Sequence, residues 1–167
     1  LYNQGQFQAV MEQAQSLTKQ YPQAFVIWNL LGASATQLGM LDQAISAFDK
    51  VISLNPNYAD AHFNMGIALH DQDKLNDSIE AYKKAVTIKP DFAEAYNNMG
   101  NALKDQGKLK EAIEAYKNAI AIKPDFAEVY NNMGNAFNEQ SMLDQAIEAY
   151  NKALSIKPDY AEAYNNI

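Results

Sequence analysis

Two histidines, His62 and His70, are the only imidazole side chains, the kind that ligates metals and shuttles protons near neutral pH, and they stand eight residues apart. A metal pair on adjacent helical turns needs a spacing of four. Asp71 and Asp73 follow His70 and offer oxygen ligands of the sort a calcium loop uses. The glycine and the closing bidentate glutamate of such a loop are absent from their required places, so a solvated turn is the expectation there. His62 falls in an apolar helical column and is expected to be a packed, hydrogen-bonded side chain. Asn76-Asp77-Ser78 has the form of a glycosylation sequon, yet Ser78 falls in a column of small residues expected to be buried. With no cysteine, thiolate and disulfide chemistry drop out. No Ser-His-Asp set and no glycine-rich phosphate loop can be assembled, so catalytic residues, metal and cofactor are all expected to be none. What remains is amide and carboxylate chemistry. Asparagine recurs at fixed places, and each carboxamide carries both donor and acceptor. Carboxylates recur too, some in ordinary exposed i, i+4 pairs such as Glu80 with Lys84 and Glu148 with Lys152.

Charge narrows the partners. Thirteen basic residues, all lysine, against 20 acidic ones give a net charge of -7, the wrong sign for a phosphate-binding surface. Nucleic acid is therefore not an expected partner. No apolar run approaches the roughly 18 residues of a membrane span, and no charged-then-apolar leader precedes Leu1. No membrane partner is expected, and the cytoplasm is the expected location.

The elements that position these side chains repeat. Residues 93–126 match residues 127–160 at 21 of 34 positions, and Pro22, Pro56, Pro90, Pro124 and Pro158 all fall 34 apart. Such a period is the mark of a solenoid. Within the unit, Tyr96, Met99, Gly100 and Leu103 follow the i, i+3, i+4, i+7 rule of one helix face. Leu109, Ala112, Ile113, Tyr116, Ala119 and Ile120 do so for a second. Gly107 between them suits a left-handed helix end. Lys123-Pro124-Asp125 closes the unit, because proline removes a donor and disfavours helix before it. Asp125 with Glu128, Asp91 with Glu94, and Asp159 with Glu162 have the spacing of a capping box.

The glycine column reads Gly32, Gly66, Gly100, Gly134. A second small column reads Ala44, Ser78, Ala112, Ala146, with Val10 as its exception. The bulky columns are Trp28, His62, Tyr96, Tyr130, Tyr164 and Phe48, Tyr82, Tyr116, Tyr150. Large rings inserted into gaps left by small residues are what close helix packing requires. This combination resembles the tetratricopeptide repeat family over the whole chain. Departures are His62 for an aromatic, Ala35 for a larger residue, and Asp73 and Ser141 for the turn glycine.

The resemblance implies an all-α fold, an alpha-alpha superhelix of antiparallel helix pairs with right-handed twist. Helices are predicted near 25–38, 42–54, 59–72, 76–88, 93–106, 110–122, 127–140 and 144–156. The domain reading is a partial repeat at 1–24, with Leu1 and Gly5 in the Leu103 and Gly107 columns, then full repeats at 25–58, 59–92, 93–126 and 127–160, and the start of another at 161–167. A piece of a longer array is the expectation. Self-association through uncapped ends follows from it, with Val10, Leu17 and Ile156 partly uncovered.

On a helical wheel, Glu94, Asn98, Asn101 and Asp105 fall opposite the apolar stripe. Their equivalents are Glu128, Asn132, Asn135 and Glu139 downstream, Asp60, Asn64, Ile67 and Asp71 upstream, and Glu162 and Asn166 at the end. In tetratricopeptide arrays the first helix of each pair lines the concave wall. The resemblance therefore implies an asparagine ladder of Asn64, Asn98, Asn132 and Asn166, flanked by Asn101, Asn135, Asp60, Glu94 and Glu128. It is similar to the ladder by which the repeat arrays of O-linked N-acetylglucosamine transferases hold substrate polypeptides. Asparagine costs a helix roughly 0.5 kcal/mol per site relative to alanine, so its recurrence suggests use. The expected function is a non-catalytic module that binds an extended polypeptide. The alternatives are a self-assembly element, or the substrate-recognition arm of a larger glycosyltransferase or sulfotransferase. The lysine and arginine clamp that other members use for acidic C-termini is absent. Because the ladder faces solvent, alanine at Asn64, Asn98 and Asn132 together is expected to leave the melting temperature no lower.

Overall fold

The computed structural model describes residues 6–167, so Leu1 and Gly5 lie outside the described residues. Ten helices and no strand are present among the described residues. They are α1 (Phe7–Gln20), α2 (Phe25–Gln37), α3 (Leu41–Leu54), α4 (Ala59–Asp71), α5 (Leu75–Ile88), α6 (Ala93–Asp105), α7 (Leu109–Ile122), α8 (Ala127–Glu139), α9 (Leu143–Ile156) and α10 (Ala161–Asn166). The predicted spans hold to within a residue at each end. The chain divides into two compact units, one running to Lys89 and the other Pro90–Ile167. In the first, α2 pairs with α3 and α4 with α5; in the second, α6 pairs with α7 and α8 with α9.

The pairing is set by ring against glycine. A Cβ at Gly32 would lie 2.6 Å from the Phe48 ring, and at Gly66, Gly100 and Gly134 it would lie 2.5, 2.4 and 2.5 Å from the rings of Tyr82, Tyr116 and Tyr150. Those four rings are at most 2% exposed. The missing side chain is thus the seat of the partner helix's largest one. The second small column is sealed as well, with Ala44, Ser78 and Ala112 fully buried. The first-helix aromatic column sits further out. Trp28 and His62 there are half-buried, and their ring nitrogens reach the carbonyls of Pro22 and Pro56 at 3.0 and 2.9 Å. A carbonyl only accepts, so His62 carries its proton on Nε2. The packed, hydrogen-bonded histidine expected from its column is what the fold contains.

Each hairpin turn closes through a left-handed residue. Gly39 and Gly107 have φ of 71° and 74°, and Asp73 and Ser141 hold the same conformation at 60° and 61°. The next amide reaches back five residues in each case, as Lys108 N does to Leu103 O at 2.9 Å, which satisfies a carbonyl at the helix end. A Cβ makes that conformation costly by about 1 kcal/mol, offset in part by the greater unfolded-state freedom of glycine. Asp73→Gly and Ser141→Gly are each expected to stabilise by roughly 0.5 kcal/mol, read as a raised midpoint in chemical denaturation. A lowered midpoint would refute this account of the turn.

Two expectations need correction. The helix starts are not capped by aspartate: the N-cap residues are Tyr58, Phe92, Phe126 and Tyr160, and none makes a side-chain capping bond. Asp91 and Asp125 stand one residue too early and contribute their backbone carbonyls to Ala93 N and Ala127 N, at 3.2 and 3.1 Å. The aromatic takes the cap position because it packs there: Phe92 is 8% exposed, and Lys123 and Lys157 lie over the rings of Phe126 and Tyr160 at 4.5 and 4.7 Å. Second, Val10 is covered, at 5% exposure, whereas Leu17 is exposed and Ile156 half-buried as expected.

Candidate interaction surface

In the second unit α8 contacts both α6 and α10, which brings Asn98, Asn101, Asn132, Asn135 and Asn166 onto one set of neighbouring first helices. Asn98, Asn101, Asn132 and Asn135 are half-buried and Asn166 is exposed. The remaining predicted residues divide between the units. Glu94 and Glu128 are exposed on α6 and α8. Asn64 and Asp60 are half-buried on α4 in the first unit, where Asn64 lines a cavity of about 60 Å³ with Thr36, Gln37 and Ile67.

The sequence reading missed the residues that hold these asparagines. Asn97 and Asn131 are 2% and 3% exposed, and a buried carboxamide must find partners. Asn132 Nδ2 donates to Asn97 Oδ1 at 3.1 Å, and one repeat later Asn166 Nδ2 donates to Asn131 Oδ1 at 3.0 Å. Asn97 Nδ2 in turn donates to Glu128 Oε1 at 3.4 Å and to Asn98 Oδ1 at 3.3 Å. The signal was available in the sequence: Asn97 stands three residues before Gly100 and four after Ala93, on the apolar side of the wheel.

Tyrosine hydroxyls supply the second set of anchors. Tyr116 donates to Asn101 Oδ1 at 2.7 Å and Tyr150 to Asn135 Oδ1 at 2.8 Å. Asn135 Oδ1 also accepts Asn166 Nδ2 at 3.1 Å. Burial, reinforced by the carboxylates of Asp105 and Glu139, pushes the Tyr116 phenol far up; burial and Glu139 raise Tyr150. Tyr160 is pushed up to about 12 by burial, then by Glu162, which also accepts its hydrogen bond, and by Glu128. These neighbours make the face electronegative. Lysines partly answer it, with Lys104 3.3 Å from Asp105 and 3.9 Å from Glu139, and Lys123 3.8 Å from Glu94.

A larger cavity, of about 650 Å³, lies between Tyr130, Met133 and Phe137 of α8 and Gln145, Ala149 and Lys152 of α9; none of the asparagines of the predicted ladder lines it. Among the described residues no group of three or more histidine, aspartate or glutamate side chains could hold a metal. No helix there is long and apolar enough to cross a membrane.

Comparison with known proteins places this geometry in a group. A family described as TPR repeat matches residues 32–73, 68–107 and 100–141, and one described as tetratricopeptide repeat matches 127–160. A crystal structure of MamA is 27% identical over 96% of this chain and 94% of its own, with a TM-score of 0.88. MamA from Desulfovibrio magneticus RS-1, residues 41 to the end, is 20% identical over 96% and 90%, at 0.87. YrrB, described as a TPR protein with an unusual peptide-binding site, is 19% identical over 99% and 85%, at 0.82.

Proposed function

Because this chain belongs to the tetratricopeptide repeat family, we propose that it is a non-catalytic protein-interaction scaffold whose α6, α8 and α10 face holds an extended polypeptide by its main chain. The observation that carries the proposal is the convergence of Asn98, Asn101, Asn132, Asn135 and Asn166 on that face, each with hydrogen-bonding capacity beyond what the fold uses. Carboxamides match the donor and acceptor of a peptide unit and ignore its side chain. Glu94, Glu128, Asp105 and Glu139 bias the choice toward segments that carry lysine or arginine. YrrB, a TPR protein with a peptide-binding site, makes such a use of the fold reasonable. A polypeptide contact at Asn64 and Asp60, on α4 of the first unit, is proposed separately.

Peptide-array binding tests it. A neutral hydrogen bond contributes roughly 0.5 to 1.5 kcal/mol net, so Asn98→Ala is expected to weaken binding only a few-fold. Alanine at Asn98, Asn132 and Asn135 together is expected to weaken it on the order of a hundred-fold, measured at low temperature where circular dichroism shows the variant helical. Undiminished binding by that folded variant would refute the reading.

A further inference from the structure

We infer that the asparagine face is sorted by polarity before any ligand arrives: Asn101 and Asn135 present amide donors, Asn132 and Asn166 present carbonyl acceptors, and the C=O and N–H that one residue of an extended chain turns to the same edge are read by one of each from consecutive repeats. This rests on the peptide-binding reading above and departs from the expectation that each asparagine engages a peptide unit by itself.

The sorting starts from one group that can act in one sense only and passes along the hydrogen bonds that follow from it. Glu128 is a carboxylate and can only accept, so the Asn97 side chain must turn its Nδ2 toward it; the separation is 3.4 Å. Asn97 Oδ1 is then committed to the opposite side, where Asn132 lies, and Asn132 must offer Nδ2, at 3.1 Å. Its Oδ1 is left to the open side. Asn166 repeats the arrangement more completely, spending Nδ2 on Asn131 Oδ1 at 3.0 Å and on Asn135 Oδ1 at 3.1 Å. The neighbouring column has the reverse sense: with Asn166 donating, Asn135 must turn its Oδ1 inward, and the tyrosines meet that column as donors. Their hydroxyls, on rings locked against Gly100 and Gly134, donate to Asn101 Oδ1 and Asn135 Oδ1. Neither Nδ2 has a protein acceptor among the described residues.

Asn135 and Asn166 share one amide-to-amide hydrogen bond. The outer edges of that pair are an N–H on Asn135 and a C=O on Asn166, and Asn101 with Asn132 occupies the equivalent columns one repeat earlier. An extended chain laid across such an edge gives its C=O to Asn135 and its N–H to Asn166. Because each edge has a fixed sense, a chain threaded backwards meets donor with donor. The face therefore selects chain direction as well as backbone. Glu128, Asn97, Asn131, Tyr116 and Tyr150 are positioning residues: they act on the ligand through the carboxamides they orient.

Two measurements on the full chain test the inference. In the free protein, through-hydrogen-bond NMR couplings are expected from the Asn132 side-chain nitrogen to the Asn97 side-chain carbonyl carbon, and from Asn166 to Asn131. Couplings in the reverse sense would overturn the sorting whether or not any peptide binds. The second uses a lysine-containing dodecapeptide chosen from the array, and analogues in which one backbone N–H at a time is replaced by an ester oxygen. Loss of the N–H read by Asn132 is expected to weaken binding by the parent about 2- to 10-fold. That ester penalty disappears in Asn132→Ala and survives in Asn101→Ala. A penalty that survives in Asn132→Ala and disappears in Asn101→Ala overturns the proposal. Failure of the parent to bind any array peptide instead strikes the peptide-binding reading itself, and leaves the couplings to decide the sorting.

Discussion

Replacing Gly100 by alanine is expected to destabilise the second unit by roughly 2 kcal/mol, although alanine is the better helix former by about 1 kcal/mol. The added carbon would stand 2.4, 2.7 and 2.9 Å from Cε1, Cδ1 and Cζ of Tyr116. That ring is fully buried and its hydroxyl is held by Asn101 at 2.7 Å, so it can neither rotate away nor withdraw. Overpacking of a tight core costs about 1 to 3 kcal/mol, and a disturbed phenol bond adds about 1 more. The same contact recurs at Gly134 against Tyr150, and alanine at both positions is expected to leave the unit largely unfolded at ambient temperature. Denaturation of Gly100→Ala, alone and combined with Tyr116→Leu, checks the mechanism. Relief of the clash should make the glycine substitution cost under about 0.5 kcal/mol in the Tyr116→Leu background, a coupling of the size expected for residues in contact. A single variant as stable as the parent would show that the seat is looser than the distances imply.

Removing a buried carboxamide is expected to be nearly as costly. Asn97 accepts from Asn132 and donates to Asn98 and Glu128 while only 2% exposed. Asn97→Leu strands the partners, but these reach solvent and recover part of the loss. Asn132→Ala instead leaves Asn97 Oδ1 buried without that donor, a defect that costs about 1 to 3 kcal/mol. The ladder variant with alanine at Asn64, Asn98 and Asn132 is therefore expected to melt below the parent, opposite to the expectation from a solvent-facing stripe. A cycle of Asn97→Leu and Asn132→Ala locates the cause: the double variant should cost less than the sum of the singles. Additive costs would mean that the 3.1 Å bond contributes nothing.

Period and helix faces were legible because they depend on residue type at fixed spacing. Gly100 and Tyr116 stand sixteen residues apart in two separate columns, and the size complementarity of those columns was enough to predict that one receives the other. The caps were misread for a physical reason. Asp125 has the right chemistry and Glu128 the right offset, but the packing of the intervening aromatic moves the helix start by one residue. The asparagine stripe was legible as a stripe, and its internal wiring was not. A helical wheel reports direction from one axis, whereas Asn97 is satisfied by Glu128 and Asn132 on the next helix. Val10 was misjudged likewise, since a position in a column does not say how much of the side chain its surroundings cover.

The hydrogen bonds between side chains on different helices of the second unit join residues 15, 31 or 35 apart in sequence. Closing a loop of that length costs little more than closing a turn, because the entropic term grows only with the logarithm of length. Assembly of such contacts can begin at any hairpin and spread to its neighbour, the regime in which folding is fast. Opening is equally local. A hairpin can detach while the next keeps its own phenol-to-amide bond, and amide protons should exchange with solvent in blocks about one repeat long.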